Sequence, residues 1–580
     1  MEEGSFCKLS RRQILRALAS SGLAAALGPS HALARMAQAQ PANPQAAFEE
    51  VPSSSSKIDW AHVAGLSSEM YLPETVGAGC AFFDYDNDGW MDIYLVNSGP
   101  CDFFKPQTPL RNALYHNNRD GTFTDVTSQA GVPGNAYGMG VAVGDYNGDG
   151  LPDLYVTQYP NNILYRNNGD GTFTDVTATA GVAAPGWGTS AVWFDYDNDG
   201  RLDLFVCNFA EFNKAENVFC GGKYPGQRYY CKPNVYKPSP SRLFHNNGDG
   251  TFTDVSKESG ISRVLGKAWG VVAADLNNDG LMDLFVANDT APNSLLMNRG
   301  KGRFEDAGVL AGVAYSPFGI ARSGMGVDAS DIDQDGWLDL FVANVDHEGY
   351  SLYRNNRDET FDDIAARSGI AKVTTMMSGW GLKFFDYNND GNVDLLLCNG
   401  HPDTTIEKHH EGVQYREPLL LFENTGASWK NVSDQAGGVF SKRIAGRGLA
   451  LGDFDNDGSV DVLISVNDGP PLLLRNIAGK QNNWLGLRLI GREANIDAVG
   501  AKIIYQAGSL KRQITKVGGG SYLSAHDPRV VLGLGHEAKI DWIEVHWPRP
   551  STTVDRFTLL PINRYITVVE GQSAPPGQHP

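Results

Sequence analysis

The chain has 580 residues, too many for one ordinary core, so a large repeat domain or several domains are expected. Its 66 glycines, 29 prolines and 10% aromatics suit many short strands joined by tight turns. A formal charge of −19 excludes a nucleic-acid binder, because phosphates would be repelled, and no apolar run of about eighteen residues downstream of the N-terminus is available to span a membrane.

In chain order, Ser10-Arg11-Arg12-Gln13-Ile14-Leu15-Arg16 opens an apolar run, Ala17 to Leu27, and small-residue cleavage sites follow at Ala32-Leu33-Ala34 and Ala37-Gln38-Ala39. The segment resembles a twin-arginine (Tat) export signal, with Ile14 where that family more often has Phe. The alternative is a Sec signal whose basic end is Arg11-Arg12. Either route predicts export to the periplasm or beyond by the Tat or Sec machinery. Residues 1–39 are assigned to this signal and 40–56 to a leader. Within the leader, Phe48-Glu49-Glu50-Val51 echoes a string met later, Phe123-Thr124-Asp125-Val126.

Repetition then dominates. Asp84-Tyr85-Asp86-Asn87-Asp88-Gly89-Trp90-Met91-Asp92 recurs with its first Asp at 145, 195, 275, 331, 386 and 453. A second element, Leu114-Tyr115-His116-Asn117-Asn118 running into Gly121-Thr122-Phe123-Thr124-Asp125-Val126, has near copies from Leu164, Leu243, Leu295, Leu352 and Leu421. Each unit reads as four short strands: an apolar run before the loop, one after it, the Leu-Tyr-Arg type, and the Thr-Phe-Thr-Asp type. Seven such units predict an all-β fold, a seven-bladed β-propeller over 57–481. The seventh unit has only three strands, to Leu472-Leu473-Leu474-Arg475-Asn476, so Phe48–Val51 is expected to supply the fourth and close the ring without leaving edges.

The nine-residue loops predict calcium. Ca²⁺ takes six to eight oxygens, and alternate residues 1, 3 and 5, the carbonyl of 7 and the Asp at 9 supply them around a turn that needs Gly at 6. Loop 1 offers Asp84, Asp86, Asp88, Trp90 (carbonyl) and Asp92; loop 2 Asp145, Asn147, Asp149, Leu151 and Asp153. Loop 3 offers Asp195, Asp197, Asp199, Arg201 and Asp203; loop 4 Asp275, Asn277, Asp279, Leu281 and Asp283. Loop 5 has Asp331, Asp333, Asp335, Trp337 and Asp339; loop 6 Asp386, Asn388, Asp390, Asn392 and Asp394; loop 7 Asp453, Asp455, Asp457, Ser459 and Asp461. Of 67 acidic residues, 25 stand at these positions, and seven Ca²⁺ would bring −19 to −5. Loops with Asn at position 3 carry one charge less and are expected to bind more weakly. These are not EF-hands, since position 12 is Leu95 inside a strand instead of a bidentate Glu.

From Asn482 the repeat stops. Trp484–Leu489, Ala501–Tyr505 and Lys539–Val545 read as strands of a small β-sandwich over 482–571, before a Pro/Gly/Gln tail at 572–580. The shortened loops between strands resemble the FG-GAP repeats of integrin α-subunit propellers. From about Phe48 to Glu570 the chain resembles the cartilage-acidic-protein-like family, FG-GAP/VCBS repeats followed by an ASPIC/UnbV domain. The carrying residues are the seven loops, the Asn-Asn-Gly-Asp-Gly-Thr-Phe-Thr-Asp-Val strings, Asn399-Gly400-His401, Val499-Gly500-Ala501, Gly519-Gly520-Ser521-Tyr522-Leu523-Ser524, Gly533-Leu534-Gly535 and Val545-His546-Trp547-Pro548. The resemblance implies the fold and calcium, and no established reaction.

A partner face is expected opposite the loops. Gly77, Gly138, Gly188, Gly324, Gly379 and Gly446, with Ala268, lie seven residues upstream of each loop, about 23 Å of strand. Strand crowding at the axis accounts for the glycines, but their neighbours include Trp269, Trp380 and Arg447, expected to ring a channel. Three long connections open on that face: Ser98–Leu110, Phe209–Ser241 and His401–Pro418. The second carries Tyr224, Tyr229, Tyr230 and the pair Cys220–Cys231, expected as a disulfide. The third carries His401, Glu407, His409, His410 and Glu411, a candidate transition-metal site. Cys80 and Cys101 are a further candidate pair, while Cys207 and Cys398 read as buried strand residues. The expected function is non-enzymatic binding of a protein or glycan; the alternative is a calcium-dependent lyase or hydrolase on acidic polysaccharide, against which no compact catalytic motif is found.

Overall fold

The computed structural model describes residues 46–222, 228–426 and 428–572. The expected export signal, the first leader residues, Tyr224 and 573–580 lie outside them.

Each apolar run beside an Asp loop forms a strand, and the loop joins the first two strands of a four-stranded antiparallel sheet. Blade 1 runs Cys80–Phe83, Asp92–Leu95, Ala113–Asn117 and Phe123–Asp125. Blades 2 to 6 repeat this order, with first strands Tyr137–Gly144, Gly188–Phe194, Ala268–Ala274, Val327–Ser330 and Gly379–Phe385. Blade 7 has Gly446–Gly452, Asp461–Val466 and Leu472–Asn476, and its fourth strand is Phe48–Glu50, with Phe48 opposite Asn476. Each first strand lies against those of its two neighbours, and blade 7 lies against blade 1. The described residues therefore form a closed propeller ring of seven sheets, whose outer edges are short three-residue strands.

The upstream glycines are explained by crowding. In five blades the first strand bulges just after this position. A Cβ on Gly446 would sit 2.2 Å from Cys398 Sγ, and one on Gly188 would sit 2.4 Å from Asn162 Oδ1.

Beyond blade 7 two sheets pack face to face. One orders Val530–Gly535, Asn483–Ile490 and Tyr565–Val569; the other orders Leu510–Thr515, Lys502–Ala507, Trp542–His546 and Val554–Phe557. Leu485, Leu487, Ile503, Tyr505, Val545 and Phe557 fill the space between them. Among the described residues this sandwich and the ring fall in one compact unit. The separate C-terminal domain read from the sequence is thus only partly separate, because Gly518–Asp527 leaves it and enters the propeller.

Candidate metal loops and the filled axis

All seven loops share one backbone. Position 4 (Asn87, Gly148, Asn198, Asn278, Gln334, Asn389, Asn456) and the Gly at 6 are left-handed, φ between +55° and +89°. That conformation suits Gly and Asn, which explains position 6 and every position 4 except Gln334. The first Asp orders the turn: Asp84 accepts the amide N–H groups of Asp88 and Gly89, both at 2.9 Å. The Asp at 9 lies fully buried and accepts two more, for Asp92 from Tyr85 (3.1 Å) and Asn117 (2.8 Å). Positions 3 and 5 are left at the surface around the turn. Carboxylate oxygens of Asp84, Asp86 and Asp88, of Asp195, Asp197 and Asp199, and of Asp331, Asp333 and Asp339 each fall within 4.8 Å of one another.

Crowding and burial make these carboxylates hard to ionise. Loss of solvent pushes Asp84 and Asp331 up to about 6, Asp92 to about 7, and Asp153, Asp339 and Asp386 to about 8. Cationic side chains answer part of the charge where position 3 is Asp. Arg119 meets Asp88 at 2.8 Å, Arg357 meets Asp335 at 2.6 Å, Lys480 meets Asp457 at 2.9 Å, and Arg201 pairs with Asp199. Where position 3 is Asn, its amide bonds the position-5 Asp instead, as Asn147 does to Asp149 (2.9 Å) and Asn277 to Asp279 (3.0 Å).

Two features escaped the sequence reading. The first Asn of each Asn-Asn string is a clamp. Asn117 Nδ2 donates to Met91 O in its own loop (3.0 Å) and to Phe454 O in the loop of blade 7 (2.8 Å), and Asn167, Asn246, Asn298, Asn355 and Asn476 repeat the double bond. Asn424 keeps the inter-blade arm, to Ile332 O at 2.9 Å. The signal was its recurrence at a fixed place in all seven units. The second feature is a partial belt: the position-4 Asn of loops 1, 3, 4, 6 and 7 donates to the Gly-6 carbonyl of the next loop, Asn456 to Gly89 (3.0 Å) joining blade 7 to blade 1.

The sandwich sits on this loop face. Tyr565 Oη donates to Asp453 Oδ2 (2.7 Å), Arg529 reaches Asn456 (2.7 Å), Arg512 reaches Asn392 (2.9 Å), and Lys502 lies 3.5 Å from Asp275. From here Gly518–Asp527 descends the axis and touches every first strand. Ala525 N–H donates to Cys80 O (3.1 Å), Leu523 O accepts from Val141 N–H (3.0 Å), and Leu523 N–H donates to Ser190 Oγ (3.1 Å). Gly520 donates to Val271 (2.9 Å), Ser521 to Val327 (2.6 Å) and, through Oγ, to Leu449 (2.8 Å), while Leu382 donates to Ser521 Oγ (3.3 Å).

This corrects the partner ring. Trp269, Trp380 and Arg447 line no open channel; they are almost wholly buried around Tyr522. Tyr522 lies 5.8 Å from Trp269 and 4.9 Å from Trp380, Arg447 stacks on Trp380 at 4.1 Å, and Arg447 donates to the carbonyls of Thr75, Gly400 and His401. His401 is buried too: its Nε2 lies 3.1 Å from Asp346 and its Nδ1 accepts from Asp403 N–H (2.9 Å), so both ring nitrogens are committed there instead of converging with His409 and His410 on a metal. Tyr229 stays partly exposed and packs edge-on against His409 at 4.3 Å, joining the second and third insertions. Cys220 and Cys231 are bonded as a disulfide, Cys80 and Cys101 are both free, and Cys207 and Cys398 are buried. In the first and second insertions Phe103 and Phe212 pack with Tyr137 and Tyr159, while Phe219 stays 65% exposed.

Residues 84–156, 145–206, 234–286, 275–342 and 331–397 match the FG-GAP-like repeat, and 491–575 match ASPIC and UnbV. The chain belongs to the FG-GAP-repeat family with an ASPIC/UnbV domain. Loop 7 falls outside the matches but keeps the same turn and bonds. Relatives include cartilage acidic protein 1 of Homo sapiens, 28% identical over 51% of this chain and 43% of that protein, and of Xenopus tropicalis, 25% identical over 81% and 61%. Integrin alpha-7 of Mus musculus is 37% identical over 95 residues, 16% of this chain and 8% of the integrin. The chain thus spans about half the length of the curated relatives it matches. Among solved structures, YCF48 bound to D1 peptide is 11% identical, covering 76% of this chain and 99% of its own, with a TM-score of 0.39. A lectin from Agrocybe aegerita that recognises non-reducing terminal N-acetylglucosamine is 16% identical over 68% and 87%, TM-score 0.36. Among the described residues no helix is long and apolar enough to cross a membrane.

Proposed function

We propose that this is an extracytoplasmic, calcium-binding propeller that acts as a non-enzymatic binding or scaffold protein for a protein or glycan ligand. The observation that carries the reading is the sevenfold loop: one left-handed turn, repeated, that gathers carboxylate oxygens which burial makes costly to leave ionised. Side chains at positions 1, 3, 5 and 9 and the carbonyl at 7 would hold Ca²⁺, which supplies the positive charge the cluster lacks. The twin-arginine segment and the Cys220–Cys231 disulfide favour an oxidising compartment outside the cytoplasm. Recognition is assigned to the insertions opposite the loops, where Tyr229 and Phe219 remain accessible on a stapled hairpin; the axis itself is occupied by the chain's own Tyr522.

The test is elemental analysis and melting of the purified protein, then a screen against glycans and candidate proteins with and without Ca²⁺, scored for both binding and cleavage. Bound calcium, a melting temperature that rises with millimolar Ca²⁺, and binding without turnover are expected. Cleavage of an acidic polysaccharide would replace this reading with the enzymatic one. No calcium in the protein and no shift on chelation would remove its foundation.

A further inference from the structure

Two of the seven loops meet a donor the others do not. The residue before the clamp Asn is His116 in blade 1 and His245 in blade 3; elsewhere it is Arg166, Met297, Arg354, Glu423 and Arg475. This side chain faces the loop of its own blade, as Arg475 Nε shows at 2.9 Å from Asp455, loop position 3. His116 Nδ1 lies 3.4 Å from Asp86 and 3.3 Å from Asp92; His245 Nδ1 lies 3.3 Å from both Asp197 and Asp203. Both nitrogens are shielded from solvent and make no well-formed hydrogen bond. In each blade the imidazole nitrogen and the two carboxylate oxygens lie within 4.8 Å of one another.

An ion pair alone is better served by arginine, which stays charged at every physiological pH and stands at this place in blades 2, 5 and 7. Imidazole differs from guanidinium in one respect that bears on metals: its neutral form offers a lone pair. A nitrogen gathered with two carboxylate oxygens is a donor set that suits zinc and its neighbours; calcium prefers oxygen alone. We propose that loops 1 and 3 bind a divalent transition-metal ion of the zinc class through Asp86, Asp92 and His116 and through Asp197, Asp203 and His245. The other five loops remain calcium sites. The inference rests on the reading that the loops hold divalent cations.

Cobalt(II) serves as the spectroscopic probe for zinc. The full chain is stripped with chelator, loaded with millimolar Ca²⁺, titrated with Co²⁺, desalted, and both metals are counted by mass spectrometry. The native protein is expected to retain two Co²⁺ with visible ligand-field bands, each of H116R and H245R one, and the double variant none, with calcium retained throughout. Arginine at this place is compatible with the fold in three other blades, and circular dichroism checks the variants. Cobalt retained equally by the double variant, or calcium bound with no cobalt retained by the native chain, overturns the inference and leaves the calcium reading standing. Cobalt held through the histidines with no calcium anywhere supports the inference and sinks the calcium reading. Neither metal bound overturns both.

Discussion

Replacing Tyr522 with Ala tests whether the axial segment is part of the folded ring or an ornament on it. The side chain is fully buried, its ring edge-on to Trp380 at 4.9 Å and tilted against Trp269 at 5.8 Å, and its Oη donates to Val76 O at 3.1 Å. Truncating a buried aromatic to Ala costs about 3–5 kcal/mol, cavity included. The lost hydrogen bond, which strands a buried carbonyl, belongs to the same change and by itself amounts to about 1 kcal/mol. Tyr522→Phe isolates that second term, so the difference between the two variants, about 2–4 kcal/mol, is the packing contribution. The assay is urea unfolding followed by far-ultraviolet circular dichroism and by tryptophan fluorescence, which reports on Trp269, Trp380 and Trp187 around the plug. Because the segment bonds all seven first strands, both probes should move together to lower urea in the Ala variant and barely in the Phe variant. Equal midpoints for Tyr522→Ala and Tyr522→Phe would refute the reasoning.

Asn246→Ala removes the amide from Tyr146 O and Leu202 O, two buried carbonyls in adjacent blades, and should destabilise the ring by about 1–3 kcal/mol in the same unfolding assay; an effect below about 0.5 kcal/mol contradicts the clamp. Metal-free protein should lose stability as pH rises. Burial holds Asp153 and Asp386 at about 8 and Asp84 at about 6, above their unfolded values near 4, so this contribution is full below about pH 4 and is lost as pH climbs through 6 to 8. Melting in chelator at about pH 5 and pH 8 checks the sign, and saturating Ca²⁺ should flatten or reverse the slope; a chelated protein more stable at pH 8 speaks against it. Cys220→Ser with Cys231→Ser should speed proteolysis between Val218 and Lys232 while leaving the main melting transition nearly in place, since the staple closes a loop of sequence separation 11 on the rim. A collapse of the whole transition would mean that the hairpin supports the ring.

Much was legible because it repeats. A loop of fixed length with Gly at 6 can fold only one way seven times over, so the strands flanking it, the turn and the candidate ligands are local properties of the string Asp-x-Asp-x-Asp-Gly-x-x-Asp. The disulfide was legible for a different, local reason: two cysteines close together within one long irregular insertion are each other's nearest partners in sequence. Phe48–Glu50 resembles the fourth strands in sequence, and the register Phe48 to Asn476 follows that likeness across more than 400 residues.

What sequence could not decide is which apolar and charged groups end up facing each other at the axis. Trp269, Trp380 and Arg447 are spaced as a channel lining would be, and nothing in their own strands tells whether solvent, a partner or the chain itself fills the space between them. The Gly518-Gly519-Gly520-Ser521-Tyr522 string reads locally as a turn of the C-terminal sandwich; its partners are backbone groups 72 to 446 residues away. Only when the ring closes do seven first strands present unpaired backbone groups toward one line. A short Gly-rich segment, free of side chains that would clash, is then able to satisfy them from within. The sequence by itself determined the repeat, the loops and the ring. The tertiary structure decided that the ring is filled, and therefore that Trp269, Trp380 and Arg447 hold Tyr522 in place of a foreign ligand.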